Sequence, residues 1–271
     1  MAKIILVTGA TDGIGLLTAQ NLAAQGHVVL LHGRSEEKLA SAAATVRGTT
    51  RRYRADLADL TAVAAMAAQI QADHDRLDVL INNAGVLKAP QPRLENGLDI
   101  RFVVNALAPY LLTQRLLPLI PADGRIVNVS SAAQSPVDLD AIQGRGRLDD
   151  MSAYAQSKLA ITIWTRAMSA RHPEGPVVVA VNPGSLLASK MVKQGFGIAG
   201  NDLAIGADIL CDAALGARFA TASGAYFDND TARFGDPHPA ALDPGHTAAV
   251  MALLDQLVPP PVADTRQPRS D

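Results

Sequence analysis

The stretch KIILVTGATDGIG, residues 3–15, opens with an apolar run that stops at Thr8-Gly9 and continues through glycines 9, 13 and 15 into a second apolar segment. A continuous apolar run ended by glycine reads as a strand covered on both faces, the pattern of parallel sheets. Ile14, Leu17, Leu22 and the alanines among them recur at three and four, which predicts a helix over Ile14–Ala24. Glycines between a strand and a helix let the backbone turn tightly and approach a phosphate, whose charge then sits at the positive end of the helix. A glycine triplet alone is weak evidence. Placed at the end of the first strand of a βαβ unit, it points to a bound dinucleotide.

The same alternation continues along the chain. Strands are expected at His27–Leu31, Arg51–Ala55, Leu77–Ile81, Ile126–Val129 and Val177–Val181. Helices are expected from an N-cap at Ser35, along the apolar face of Leu60, Val63, Ala64, Ala67 and Ile70, and near residues 97–120 and 151–171. Apolar strands alternating with helices predict a Rossmann-type α/β fold: a doubly wound parallel sheet between two helical layers, with right-handed crossovers. With no composition break and no repeat, residues 1–258 read as one domain. Residues 259–271, beginning Pro259-Pro260-Pro261, read as a polar disordered tail.

Composition excludes several classes. Of 271 residues, 24 are Lys or Arg and 26 are Asp or Glu, a formal charge of -2, and no basic run offers a face for nucleic acid or anionic membranes. The apolar runs fall far short of the ~18 residues needed to span a bilayer, and the N-terminus does not read as a signal peptide. One cysteine, Cys211, excludes an internal disulfide and fits a reducing compartment; the expectation is a cytoplasmic protein without membrane insertion. The six histidines lack metal-site spacing and read as surface or packing residues, so no metal is expected. There is no G-x-S-x-G elbow of a serine hydrolase and no G-x-x-x-x-G-K-S/T loop of a nucleoside triphosphatase.

Further motifs follow in order: NNAG at 82–85, Asn105 in VVNALAPYLLT, GRIVNVSS ending at Ser130-Ser131, YAQSK at 154–158 and NPG at 182–184. With TGATDGIG at 8–15, this set resembles the short-chain dehydrogenase/reductase family over most of the chain. The long connection before Tyr154, PVDLDAIQGRGRLDDM, and SGAYFDND at 223–230 resemble the branch of retinol dehydrogenases and of the oxidoreductase domain of WW-domain proteins.

The resemblance implies an NAD(P)-dependent oxidoreductase that moves a hydride between nicotinamide and a carbonyl or alcohol. It implies a cofactor site at Gly9, Thr11, Asp12, Gly13, Ile14, Gly15, Arg34, Asp56, Leu57, Asn83, Ala84, Gly85, Tyr154, Lys158, Pro183, Gly184 and Leu186. Gly33-Arg34 stands where NAD-binding relatives carry the acidic residue that binds the ribose 2′-hydroxyl. An arginine there can pair with a 2′-phosphate, so NADP(H) is expected, with NAD(H) as a second cofactor. Asp12 lies where many NADP-using relatives place a second basic residue.

Tyr154 and Lys158 lie four apart and project from one face of a helix. A free tyrosine, with a pKa near ~10, is a poor acid-base group at neutral pH, and a neighbouring ammonium is expected to lower it. Tyr-x-x-x-Lys by itself is common on amphipathic helices; the Ser-Ser strand end and the glycine turn give it weight. The resemblance makes Tyr154 the proton donor or acceptor, Ser131 the partner of the substrate oxygen, Lys158 a ligand of the nicotinamide ribose and Asn105 the anchor of a water leading to Lys158. Ser130 reads as local support. A contrary reading is a dinucleotide-sensing protein that has lost catalysis; Asn105, Ser131, Tyr154 and Lys158 together argue against it, because a sensor needs only the glycine turn.

By the same resemblance, about residues 185–205 form a lid over the substrate, with Ala188 where relatives often place a threonine. Leu186, Leu187, Met191, Val192 and Phe196 then predict an uncharged, apolar small-molecule substrate. Arg145 and Arg147 read as solvated. Helices near 105–120 and 152–171 form the usual subunit contact in the family, giving a homodimer or homotetramer unless the long connection before Tyr154 blocks it.

Overall fold

The computed structural model describes residues 1–260, without the side chains of Gln194 and Phe196. Most of the expected tail, from residue 261, lies outside the described residues. All six expected strands form: β1 (Ile4–Val7), β2 (Val28–Gly33), β3 (Thr50–Arg54), β4 (Val79–Asn82), β5 (Arg125–Val129) and β6 (Val177–Asn182). Two short strands extend the sheet, β7 (Tyr226–Asp228), inside SGAYFDND, and β8 (Arg233–Gly235). The order is β3-β2-β1-β4-β5-β6-β7-β8, parallel throughout except for the β7–β8 hairpin. This is the doubly wound α/β sheet, with its change of direction between β1 and β4, where such sheets bind ligands.

Side chains alternate across the sheet and bury on both faces. Leu6, Leu30, Leu80, Ile126 and Val178 face one helical layer, made of α3 (Leu60–Asp73), α5 (Ala108–Leu116), α6 (Asp150–Arg171) and α9 (Pro244–Leu257). Ile5, Val7, Leu31, Ile81 and Val179 face the other, made of α1 (Gly13–Ala24), α2 (Glu36–Thr45) and α8 (Leu203–Leu215). Of the six expected strands β3, an edge strand reading TRRYR, departs from the apolar pattern, with Arg51, Arg52 and Arg54 in solvent. Ser35 caps α2 as expected, accepting from the Lys38 amide.

Two expectations change. Helix α1 buries Gly15, Thr18, Ala19, Leu22 and Ala23, a stripe of mostly small residues that packs against α8, so Leu17 is only half-buried. The helix expected near 97–120 is a composite: α4 (Ile100–Phe102), a π-helical turn at Val103–Leu107, then α5. The helices expected to pair two copies also pack against α9 of the same chain. Val250, Met251, Leu254 and Val258 from α9 and the residue after it join the core beside Tyr110 and Trp164, while Tyr110 Oη donates to Asp255 and Arg115 donates to the Pro259 carbonyl.

At the far edge, Phe219, Phe227 and Phe234 meet edge to face with centroids 5.0–5.2 Å apart. Phe227→Ala empties a fully buried site, and the expected cost is about 3–5 kcal/mol. Urea denaturation measures it as a lowered midpoint at unchanged slope; a loss below 1 kcal/mol would show that the hairpin does not depend on this cluster.

Candidate active site

Every residue assigned to the site lies at or beyond the carboxyl ends of β1, β2, β3, β4, β5 and β6, or on the helices that follow them. After β1 the backbone turns with Gly9 at φ 66° and Gly13 at φ 54°, left-handed conformations that a side chain would strain. A Cβ on Gly15 would overlap the Gly9 carbonyl oxygen and Asn83 Nδ2, so the helix can begin this close to the strand only without a side chain. Asp12 caps α1, its carboxylate accepting from the Gly13 amide at 2.8 Å, and it also pairs with Lys190 of α7 (Lys190–Phe196). Thr11 packs against Gly33, and Ile14 lies beside Gly206 of α8.

Asn83 and Ala84 are tied to this turn. Thr8 Oγ1 accepts from both of their amides, at 3.0 and 3.1 Å, while Asn83 Nδ2 donates to the Thr8 carbonyl at 2.9 Å. His32, read from sequence only as surface or packing, belongs to the same cradle. It is buried, its Nδ1 is 3.2 Å from the Gly9 amide and its Nε2 is 3.2 Å from the Ala55 carbonyl. Burial pulls its pKa down to about 4, so the ring is neutral, and a proton on Nε2 satisfies both bonds. Its only sequence signal is its place between Leu31 and Gly33 on a buried strand.

Arg34 and Asp56 stand exposed at the ends of β2 and β3, and Leu57 is buried beside them. At the end of β6, Gly184 has φ 121°, and its amide donates to Asn182 Oδ1. Leu186 departs from the expected apolar lining: it has φ 53° and is 42% exposed, whereas Leu187 and Val192 are buried. Met191 approaches Gly85, where its Cε would lie 3.6 Å from an added Cβ. The Phe196 side chain lies outside the described residues. Ser189 caps α7, and the Ala188 amide donates to the Asn201 carbonyl at 2.7 Å.

Ser131 follows β5, and Tyr154 and Lys158 share one face of α6, with Lys158 Nζ 5.6 Å from the Tyr154 ring centroid. Lys158 is buried, Nζ donates to the Val129 carbonyl at 2.7 Å, and burial lowers its pKa to about 8. Tyr154 does not follow expectation. Its pKa is raised, because burial disfavours the phenolate, and a hydrogen bond with the Ser131 side chain offsets this only in part. The ammonium that was expected to lower it is engaged by a backbone carbonyl. Ser130 supports the helix, its hydroxyl donating to the Lys158 carbonyl at 3.1 Å and lying 2.7 Å from Thr162 Oγ1.

Asn105 sits in the π-helical turn, where the register of side chains shifts relative to an α-helix; such turns recur at functional sites. Its amide is fully engaged: Oδ1 accepts from the Val86 amide at 2.7 Å, and Nδ2 donates to the Val86 carbonyl and to Ser157 Oγ, both at 2.9 Å. Ser157 Oγ in turn donates to the Tyr154 carbonyl at 2.7 Å. Asn105 Oδ1 and Lys158 Nζ each lie 3.5 Å from the position of a Cβ on Gly85, so the two converge on one glycine without touching. The ends of β4 and β5 are held by a buried ladder in which Asn82 donates to Thr113 and Asn128, and Asn128 donates to Thr165. Arg145 pairs with Asp140 in solvent, as expected of a solvated loop.

The arrangement fits a dinucleotide. The turn and the start of α1 present amide donors, no side chain comes within 3.9 Å of the space above Gly13, and the Tyr-Lys pair is on the neighbouring helix. Among the described residues no group of His, Cys, Asp or Glu could hold a metal, and no helix is long and apolar enough to cross a membrane.

Comparison with known proteins agrees with this geometry. Human retinol dehydrogenase 13 is 39% identical over 193 residues, 67% of this chain and 58% of that protein; the match spans less than two thirds of the relative's length. An uncharacterised protein of Mycobacterium paratuberculosis superposes with a TM-score of 0.79 at 30% identity, covering 94% of this chain and 93% of the other. A Shigella flexneri short chain dehydrogenase in complex with NADP superposes with a TM-score of 0.66 at 29% identity, covering 84% and 96%. The family model for short chain dehydrogenases matches residues 3–196, and with the glycine turn, the doubly wound sheet and the Tyr154–Lys158 helix this chain belongs to the short-chain dehydrogenase family of oxidoreductases.

Proposed function

We propose that this protein is an NADP(H)-dependent carbonyl reductase acting on uncharged, apolar ketones or aldehydes. The observation that carries the reading is Tyr154, a half-buried phenol next to Ser131 and Lys158 at the carboxyl edge of the sheet. When bound, the cofactor supplies the hydride. The protein's part is to hold the substrate oxygen by Ser131 and Tyr154 and to hand it the Tyr154 proton as charge develops there. A phenol whose pKa is raised keeps its proton at neutral pH, which suits a proton donor and so favours reduction. Lys158 would hold the nicotinamide ribose, and Asn105, which converges with it on Gly85, would anchor a water linking Lys158 to solvent.

The preference for NADP(H) is supported by Arg34, an exposed guanidinium after the end of β2, where Gly33 stands in place of an acidic residue that would bind a ribose 2′-hydroxyl. Asp12, which would repel a phosphate, is offset by Lys190. The apolar substrate is supported by Leu187, Val192 and Met191 along the lid, and by the name of the human relative, which is that of an enzyme acting on retinol.

Tyr154→Phe is expected to lower kcat by ~10²–10⁴ while NADPH still binds, measured by nicotinamide absorbance and fluorescence titration. Retained turnover removes the mechanism. A wild-type chain that binds NADPH but reduces no member of an apolar carbonyl panel would be a sensor instead.

Charge-assisted hydrogen bonds contribute about 1.5–3 kcal/mol, so Arg34→Ala should cut kcat/KM for NADPH roughly 10- to 150-fold and leave NADH nearly unchanged. A wild-type preference for NADH would overturn the assignment.

The pH dependence follows from Lys158. Its ammonium is present below its lowered pKa and lost as pH rises through about 8, while Tyr154, shifted upward, is still a phenol. The reductive kcat should therefore fall on the alkaline side with a midpoint near that value. A profile flat well above it would show that the Lys158 charge is not needed.

A further inference from the structure

Arg101, in α4, is 1% exposed, and its guanidinium is shared between carboxylates on two separate elements. Nε and Nη2 donate to Asp99 at 2.7 and 2.5 Å, and Nη1 donates to Asp150 in the first turn of α6. Asp99 also caps α4, accepting from the Arg101 amide at 2.9 Å. Burying a guanidinium costs several kcal/mol of solvation, and two carboxylates are what make the site tolerable for it. Packing alone would be served as well by a methionine.

The positions of the two ends suggest what the charge does. Arg101 stands four residues before Asn105, and Asp150 stands four residues before Tyr154, so the ion pair joins the two helices about one turn ahead of each. One turn further along the first helix and about two turns along the second, they are joined again by Asn105 Nδ2 on Ser157 Oγ, with Ser157 Oγ donating to the Tyr154 carbonyl. The π-helical turn at Val103–Leu107 begins after the first fastening and carries the second. A helix that changes its winding there needs a fixed point before the change if Asn105 is to meet Ser157 and Val86 together.

We propose that Arg101 is a positioning residue: through Asp150 it sets the placement of the Tyr154 helix against the Asn105 turn. This rests on the reading of Tyr154 as the proton donor. Arg101 touches neither substrate nor cofactor, and its effect is on where Tyr154 and Asn105 stand.

The test compares the full-length wild-type chain with Arg101→Met, Arg101→Lys and Asp150→Asn. Misplacing a reacting group by about 1 Å can cost ~10²-fold, so kcat for carbonyl reduction should fall roughly tenfold to a hundredfold in Arg101→Met, while the NADPH Kd stays within about twofold. Arg101→Lys restores part of the loss. Asp150→Asn guards against a folding failure, because the Asp150 side chain is 41% exposed and the Asp99–Arg101 pair remains. It should lower kcat in the same direction by less, and amide hydrogen exchange should quicken in residues 100–107 and 151–158. A folded Asp150→Asn with unchanged kcat overturns the inference, as does a loss shared equally by kcat and NADPH affinity. If the wild type reduces no carbonyl, the proposed reaction falls on its own. Exchange then decides the linkage, and unchanged rates over 151–158 in Asp150→Asn overturn it.

Discussion

No side chain fits between Gly15 and the carbonyl of Gly9, and much of the molecule is arranged around that closeness. The first strand can hand over to a helix within six residues only because the backbone turns through left-handed glycines. The same tightness brings Thr8, Asn83 and His32 into one hydrogen-bonded frame, so the turn is held from β1, from the end of β4 and from β2 at once. A phosphate site made of backbone amides is useful only if those amides do not move, and a neutral buried histidine serves this better than a charged one. His32 accepts from one peptide and donates to another without bringing a charge to be solvated.

The second organising element is polar and buried. Asn82, Asn128, Thr113 and Thr165 lock the ends of two strands to two helices, and Ser130 with Thr162 continues this toward Lys158. The amide groups of Asn82 and Asn128 donate along this ladder, while Asn82 Oδ1 is buried without a partner among the described residues, so the ladder ties the strands to the helices with one acceptor unmet. Lys158 and Tyr154 therefore project from a helix whose buried face has little freedom, and the shifts in their proton affinities arise from that dry setting.

The fold was legible in the sequence because its strands are short, apolar and punctuated by glycine. Ile4–Val7 and Val177–Val181 have no credible alternative in a chain with this period. The residues that meet at the site were legible through motifs whose spacing implies placement, as with Tyr154 and Lys158. What could not be read were features that depend on partners distant in the chain. Nothing local marks the π-helical turn at Val103–Leu107, nor the burial of Arg101, which is exposed on any helical wheel until Asp150 arrives from α6. The direction of the Tyr154 shift was misread for a related reason: proximity of Lys158 in sequence said nothing of the Val129 carbonyl that would hold its ammonium. Residue type alone makes Leu186 an apolar lining residue, whereas it stands 42% exposed on a left-handed backbone.

Helix α9 packs on α6 and accepts a hydrogen bond from Tyr110 of α5, on the face that two copies were expected to share. An intermolecular contact there would make the stability of that face depend on protein concentration through mass action. Because α9 belongs to the same chain, its local concentration is set by the length of the connection from β8, and dilution does not weaken it. The helices carrying Asn105 and Tyr154 are thus braced from behind by their own chain.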